Sequence, residues 1–368
     1  MRYKRMAIEQ ESPEETGYSP ILYNLAESSV TDFRFSDLNF SPGDLRLEYV
    51  PHRGHQGLRS LIAADAGLPS PEDVLLTHGA AGALFIVNTA LLEKEDHLVV
   101  VRPNYSTNIQ VPLTIGCAVT FIDLNIEHNW RINVAAVMEA CRDHTRLISI
   151  TTPHNPTGMV MTDKELSAIA ALARERAIPV LADETYRDAG FLTPYPPLAT
   201  TYENVISVSS LSKAYGLPGL RMGWIITRDT ALMEQFLAAK EMMYISNSAL
   251  DEAVAFEFYQ RKNNFGPITR QQVMNNFSVL KAWLEKEDRF DCVLPEGGVV
   301  CFPRLKKIPN QGMAAFHALL LEKFKTMVGP GHWFGMPDEY LRIGFGWADE
   351  ATFLRGLGNI SEALSELL

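Results

Sequence analysis

An α/β fold built on a mostly parallel sheet is what this chain predicts, and three observations carry it. Short runs rich in valine, isoleucine and leucine alternate with amphipathic stretches through the middle of the chain. Polar and glycine-bearing segments fall just after those runs, where open parallel sheets gather their ligands. At 368 residues and 46% hydrophobic content the chain is too long for one compact core, so a second, smaller unit is expected beside the first.

The apolar runs place seven strands at 74–77, 97–101, 118–122, 147–151, 180–182, 205–208 and 222–226, with amphipathic helices at 80–92, 134–142 and 163–176 between them. After Met233 the pattern turns mainly helical to about Asp288. A mixed α+β tail follows, with strands at 298–302 and 340–345 and a closing helix from about Glu350. The first forty residues are irregular and are expected to join this tail. The division is therefore a large domain over 41–265 and a small α+β domain of 1–40 and 266–368. No internal repeat or low-complexity segment interrupts it.

Net charge is −11 and the sequence pI about 5.4, which speaks against a nucleic-acid or anionic-membrane partner. No apolar run approaches a membrane span, and the opening residues are basic and then acidic, with no secretory pattern. Four scattered cysteines read as reduced core thiols, and a cytoplasmic location is expected. The nine histidines show no metal spacing, so no metal is expected; His52 and His55 are separated by Arg53-Gly54 and read as loop.

Chemistry concentrates in five segments. Thr77-His78-Gly79-Ala80-Ala81 ends a strand and opens a helix, and its small residues let backbone amides approach a phosphate. Tyr105 follows the next strand and offers a ring for stacking. Asn155 lies between Pro153 and Pro156 and offers an amide donor. Asp183 and Tyr186 close another strand, as an acid for a protonated ring nitrogen and a hydroxyl for a phenolic oxygen. Last comes Ser210-Leu211-Ser212-Lys213, with Arg221 eight residues beyond the lysine. A lysine amine that condenses with an aldehyde cofactor, with a serine and an arginine fork holding a phosphate, fits this segment. Taken alone, each of the other four also reads as an ordinary turn, a core aromatic or a solvated strand end. Their joint order on one alternating chain points to pyridoxal 5'-phosphate.

In that order the segments resemble the fold-type-I pyridoxal-phosphate enzymes, the aspartate aminotransferase superfamily, over nearly the whole chain. The resemblance implies a large domain with a mostly parallel seven-stranded sheet between helices, a small domain from both ends of the chain, and a homodimer with shared sites. It implies that Arg342, in Leu341-Arg342-Ile343-Gly344-Phe345, clamps the substrate α-carboxylate with Asn155. It implies that Tyr49 reaches the neighbouring subunit's phosphate, with Ser246-Asn247 near the same boundary. Lys213 is then the base at the substrate Cα.

Finer likenesses lie in Leu76-Thr77-His78-Gly79, in the run 211–224, in Gly297-Gly298-Val299 with Phe302-Pro303-Arg304, and in Asn24-Leu25-Ala26-Glu27-Ser28-Ser29-Val30. These resemble the capreomycidine synthase and enduracididine cyclase group. That likeness implies a lyase that closes a β- or γ-hydroxylated arginine into a cyclic guanidine. A guanidinium wants carboxylate partners, and Glu27 and Glu9 are the candidates, with Glu11 nearby in the same arm. Acidic residues in such an arm also read as solvated surface, and Asp188, a further candidate after Tyr186, reads as surface in the same way. The segment Asp183-Glu184-Thr185-Tyr186 resembles ordinary aminotransferases, which keeps transamination of arginine or another amino acid as the alternative. A non-catalytic regulator on this fold is a third reading, disfavoured because Lys213 is present and no basic DNA-binding segment is.

Overall fold

The apolar runs become one seven-stranded sheet: β1 (Val74–His78), β2 (His97–Arg102), β3 (Ala118–Asp123), β4 (Thr145–Thr151), β5 (Val180–Asp183), β6 (Val205–Ser210) and β7 (Met222–Ile226). The computed structural model describes residues 2–38, 40–191 and 195–368. The strand order is β1-β7-β6-β5-β4-β2-β3. β7 is antiparallel to both its neighbours, and the other pairs are parallel. Each expected strand is found, most of them extended by one or two residues.

The sheet is covered on both faces, which is why its strands read as unbroken apolar runs rather than alternating ones. Val99, Val101, Ile148, Ile150, Val180 and Ala182 point into one core with Leu166 and Ile169 of the helix Asp163–Glu175. The intervening residues Leu98, Val100, Leu147, Leu181, Ile206 and Val208 point into another, with Leu84 and Val87 of the helix Gly79–Leu91. The period-2 geometry of a strand produces this division. A reciprocal cap starts the helix Asp163–Glu175: the Thr162 hydroxyl accepts from Glu165 N, and the Glu165 carboxylate accepts from Thr162 N.

A separate core joins the two ends of the chain. Leu25 and Val30 pack with Val299, Cys301, Leu341, Ile343, Phe345, Leu357 and Ile360. Tyr23–Asn24 pairs in parallel with Thr326–Met327. The strands expected at 298–302 and 340–345 are shorter, Val300–Cys301 and Leu341–Gly344, paired antiparallel. Gly297 and Gly298 delay the first of these, because Gly298 has φ +68°, outside the strand region. The helix expected at 134–142 stops at Ala140. A single helix, Ala249–Leu284, runs across position 265.

At Gly344 a Cβ would stand 1.7 Å from the Glu27 carbonyl oxygen. Glycine there lets the Glu27 segment lie directly on the strand that carries Arg342, and Gly344 N donates to Leu25 O at 2.8 Å. This close approach builds one wall of the site.

Candidate active site

A cavity of about 490 Å³ opens at the carboxyl ends of β4, β5 and β6. Its lining unites Lys213, Ser210, Arg221, Ala80, Ala81, Tyr105, Asn155, Asp183, Tyr186, Arg342, Glu27 and Glu9. Each segment singled out in the sequence is thus represented. Gly79 sits just behind the lining, where a Cβ would lie 2.6 Å from Arg221 Nη2; its φ of +68° also favours glycine.

Lys213 lies three residues past the end of β6, and its Nζ stands 3.1 Å from Glu27 Oε1. Burial alone would raise the Glu27 carboxyl, but the Lys213 ammonium and the Ser28 amide at 2.8 Å draw it down to about 2. Burial would lower the Lys213 amine, but Glu27 outweighs it and raises the amine above its usual value. Without cofactor, both groups are therefore charged at neutral pH. The linkage sign follows from the depressed carboxyl: its stabilising share is full above the usual value near 4.5 and is lost as pH falls toward 2. Cofactor-free wild-type protein should therefore lose thermal stability more steeply between pH 4.5 and 2 than Glu27→Gln. Parallel melting curves across that range would dismiss the pairing.

Asp183 ends β5 and is almost fully buried. Burial raises its carboxyl, opposed by Thr185 Oγ1 at 2.6 Å and Asn108 Nδ2 at 3.0 Å. Asn108 is fixed in turn by Asn104 Oδ1, which also accepts from Thr151 Oγ1 at 2.9 Å. This network aims a rigid buried acid into the cavity. Tyr186 places its hydroxyl in the same wall, buried and without a hydrogen-bond partner.

Arg342 projects from Leu341–Gly344 and is 4% exposed. Its Nη2 donates to Ala26 O at 2.7 Å, its Nη1 to Asn155 Oδ1 at 3.4 Å, and its guanidinium lies 5.0 Å from the Phe334 ring centre. Burial lowers it from the usual arginine value, and its Nε is unpartnered. Asn155 is steadied by His154, whose ring nitrogens are taken by Thr157 Oγ1 and Pro103 O and whose burial holds it down at about 4.

These features fit the expected cofactor. An unpartnered tyrosine hydroxyl suits a phenolic oxygen, and a buried acid suits a ring nitrogen. The helix Gly79–Leu91 starts at the cavity with no acid in its first turn, and the Ser210 hydroxyl and Arg221 stand beside it, which suits a phosphate. At Gly223 a Cβ would meet Gly79 C at 2.4 Å, so bare backbone is needed for that approach.

The N-terminal arm forms two short helices, Ala7–Glu11 and Pro13–Thr16, and lies against the cavity of its own chain. It brings Glu9 to the lining, together with Ile8, Ser12, Pro13 and Glu14. Glu14 and Trp333 were not singled out from sequence. Glu14 sits in an acidic run that reads as surface, and only the turn after Glu11 shows its position. Glu11 is not a lining group: its Oε2 accepts from Trp333 Nε1 at 2.8 Å and meets His332 Nε2 at 2.6 Å, anchoring the arm.

One expectation is corrected. Asp188, read as surface, is an internal ion-pair partner with an 11% exposed side chain, because Arg187 and Tyr215 take its carboxylate. Tyr49 is 80% exposed and does not line the cavity of its own chain. It faces a second groove with His78, Tyr244, Ser246 and Asn247, which meets the cavity at Arg221.

The sequence model of the aminotransferase class I and II family matches residues 34–357. Capreomycidine synthase of Streptomyces vinaceus is 30% identical over 355 residues, covering 93% of this chain and 89% of that protein. Among solved structures, a PLP-dependent aminotransferase from Streptococcus suis superposes with TM-score 0.91 at 25% identity, covering 100% of this chain and 99% of that one. The PLP-dependent cyclase OrfR superposes with TM-score 0.89 at 25% identity, covering 100% and 98%.

Proposed function

The chain belongs to the aminotransferase class I and II family and depends on pyridoxal phosphate, and on that footing we propose that it closes a hydroxylated L-arginine into a cyclic guanidino amino acid with loss of water. One observation carries the choice of substrate: the cavity that holds Lys213 and Arg342 is also lined by Glu9, Glu14 and Glu27. A carboxylate clamp with acids around it suits an amino acid with a cationic side chain, and a dicarboxylic substrate would meet like charge.

Pyridoxal phosphate, when bound, supplies the electron sink for the substrate Cα. Ala80, Ala81, Ser210 and Arg221 would hold its phosphate, Asp183 its ring nitrogen, Tyr186 and Asn155 its phenolic oxygen, and Tyr105 its ring face. Arg342 grips the α-carboxylate and fixes the direction of the Cα–H bond. Lys213 then takes the Cα proton. Glu27 is shared between two cations: a guanidinium that engages it weakens its hold on Lys213 and lowers that amine toward a working base. The C–O bond to the side-chain hydroxyl breaks, and the oxygen leaves as water after receiving a proton. A guanidine nitrogen bonds to the vacated carbon and gives up a proton, and Cα regains a proton from Lys213, so the product differs from the substrate by one water.

Incubation with β- and γ-hydroxyarginine, without a keto acid, should give a product 18 mass units lighter, about one water, from one of the two. Unchanged mass with both would remove the cyclase reading. The second reading is an aminotransferase for a cationic amino acid, supported by the family and by Asp183-Glu184-Thr185-Tyr186. It predicts an α-keto acid product that accumulates only when an acceptor keto acid is added.

A further inference from the structure

Two loops carry the catalytic groups, and the sheet does not hold them together. Backbone pairing between β5 and β6 ends at Asp183 and Val208, with one further bond from Glu184 N to Val208 O at 2.8 Å. Tyr186 and Lys213 lie three and five residues beyond that last pair. A buried side-chain bridge spans the gap. Asp188, two residues after Tyr186, accepts from Arg187 Nε at 3.0 Å and Nη2 at 2.8 Å. Its Oδ2 also accepts from the hydroxyl of Tyr215, two residues after Lys213, at 2.9 Å.

The surroundings make this bridge stiff. The side chains of Arg187 and Asp188 are 7% and 11% exposed. The Tyr215 ring packs edge-on against Phe258, its centroid 5.9 Å away, and the Lys262 ammonium lies 5.8 Å from its centre. Tyr186, Ala189 and Ala214 share one apolar core with Tyr215 packed against it. On the far side, Gly190 approaches Gly298 so closely that a Cβ would meet its carbonyl oxygen at 2.2 Å. None of the bridge residues lines the cavity.

We propose that the Arg187–Asp188–Tyr215 bridge is a positioning device that holds the Tyr186 hydroxyl and the Lys213 amine in fixed relation across the cofactor. These residues act through their neighbours and touch no reacting atom. The inference rests on the cofactor and not on the reaction it performs, so it holds for a cyclase or an aminotransferase alike.

Asp188→Ala would leave the Arg187 guanidinium buried and unpaired and risks unfolding, so Tyr215→Phe is the variant of choice. It removes one hydroxyl and keeps the ring. The readout is the pH midpoint of the absorbance change of the lysine-bound cofactor, measured without substrate. That midpoint senses the hydrogen bond from Tyr186 and the setting of Lys213, and a purely structural brace would not move it. Tyr215→Phe with cofactor bound should shift the midpoint by about 0.3 pH unit or more, a twofold change in the protonation constant. Asp188→Asn should shift it in the same direction. Tyr259→Phe, which loses a hydroxyl bond to Asp65 in the same aromatic cluster, is the control and should leave it in place. An unmoved midpoint in Tyr215→Phe, whatever the melting temperature does, overturns the proposal. So does an equal shift in Tyr259→Phe.

Discussion

Lys213→Ala is expected to cut turnover by about 10³- to 10⁴-fold, the upper part of what a positioned base contributes. Among the described residues no second lysine lines the cavity, so no neighbouring amine can take over. The groups that would hold the phosphate and ring, Ser210, Arg221, Asp183 and Tyr105, are untouched, and cofactor should still bind, though not covalently. The absorbance of the lysine-bound cofactor should disappear while free cofactor is retained on gel filtration. Added methylamine, which restores a small base in the vacated volume, should recover part of the rate. Wild-type turnover in this variant would refute Lys213 as the base.

The second large effect belongs to Arg342. Lysine at this position keeps the charge but lacks the planar fork that can hold a carboxylate with two parallel bonds. Here the fork is preset: Asn155 Oδ1 accepts from Nη1 and Ala26 O from Nη2, Phe334 lies against the guanidinium, and Nε is left without a partner. Losing one charge-assisted bond, worth about 1.5–3 kcal/mol, should lower kcat/KM by about 10- to 100-fold in Arg342→Lys. Both kcat and KM should change, because the clamp orients the Cα–H bond as well as binding the substrate. Cofactor absorbance should be unaffected. A kcat/KM within twofold of wild type would show that the carboxylate is held elsewhere.

Much of this site is legible in the sequence because its cofactor side is local. Ser210 and Asp183 close strands, and Lys213 and Asn155 lie within four residues of a strand end, each announced by the apolar run before it. The strands themselves are read closely, since valine and isoleucine runs covered on both faces leave little ambiguity. What the chain hides is non-local. Glu14 reaches the cavity only because the arm docks on distant elements, and that docking depends on Glu11 meeting Trp333. Asp188 misleads for the same reason: its neighbours in sequence suggest an exposed turn, while its partner Tyr215 comes from another loop.

The acids that line the cavity divide by origin. Asp183 comes from the sheet, while Glu9, Glu14 and Glu27 all come from one continuous stretch of the first thirty residues. Under the proposed reading, the acids that would face a guanidinium and the lysine that takes the proton lie in separate passages of the chain. Under that reading, changes confined to the early passage would alter the preference for a side chain and leave Lys213 and its cofactor contacts in place.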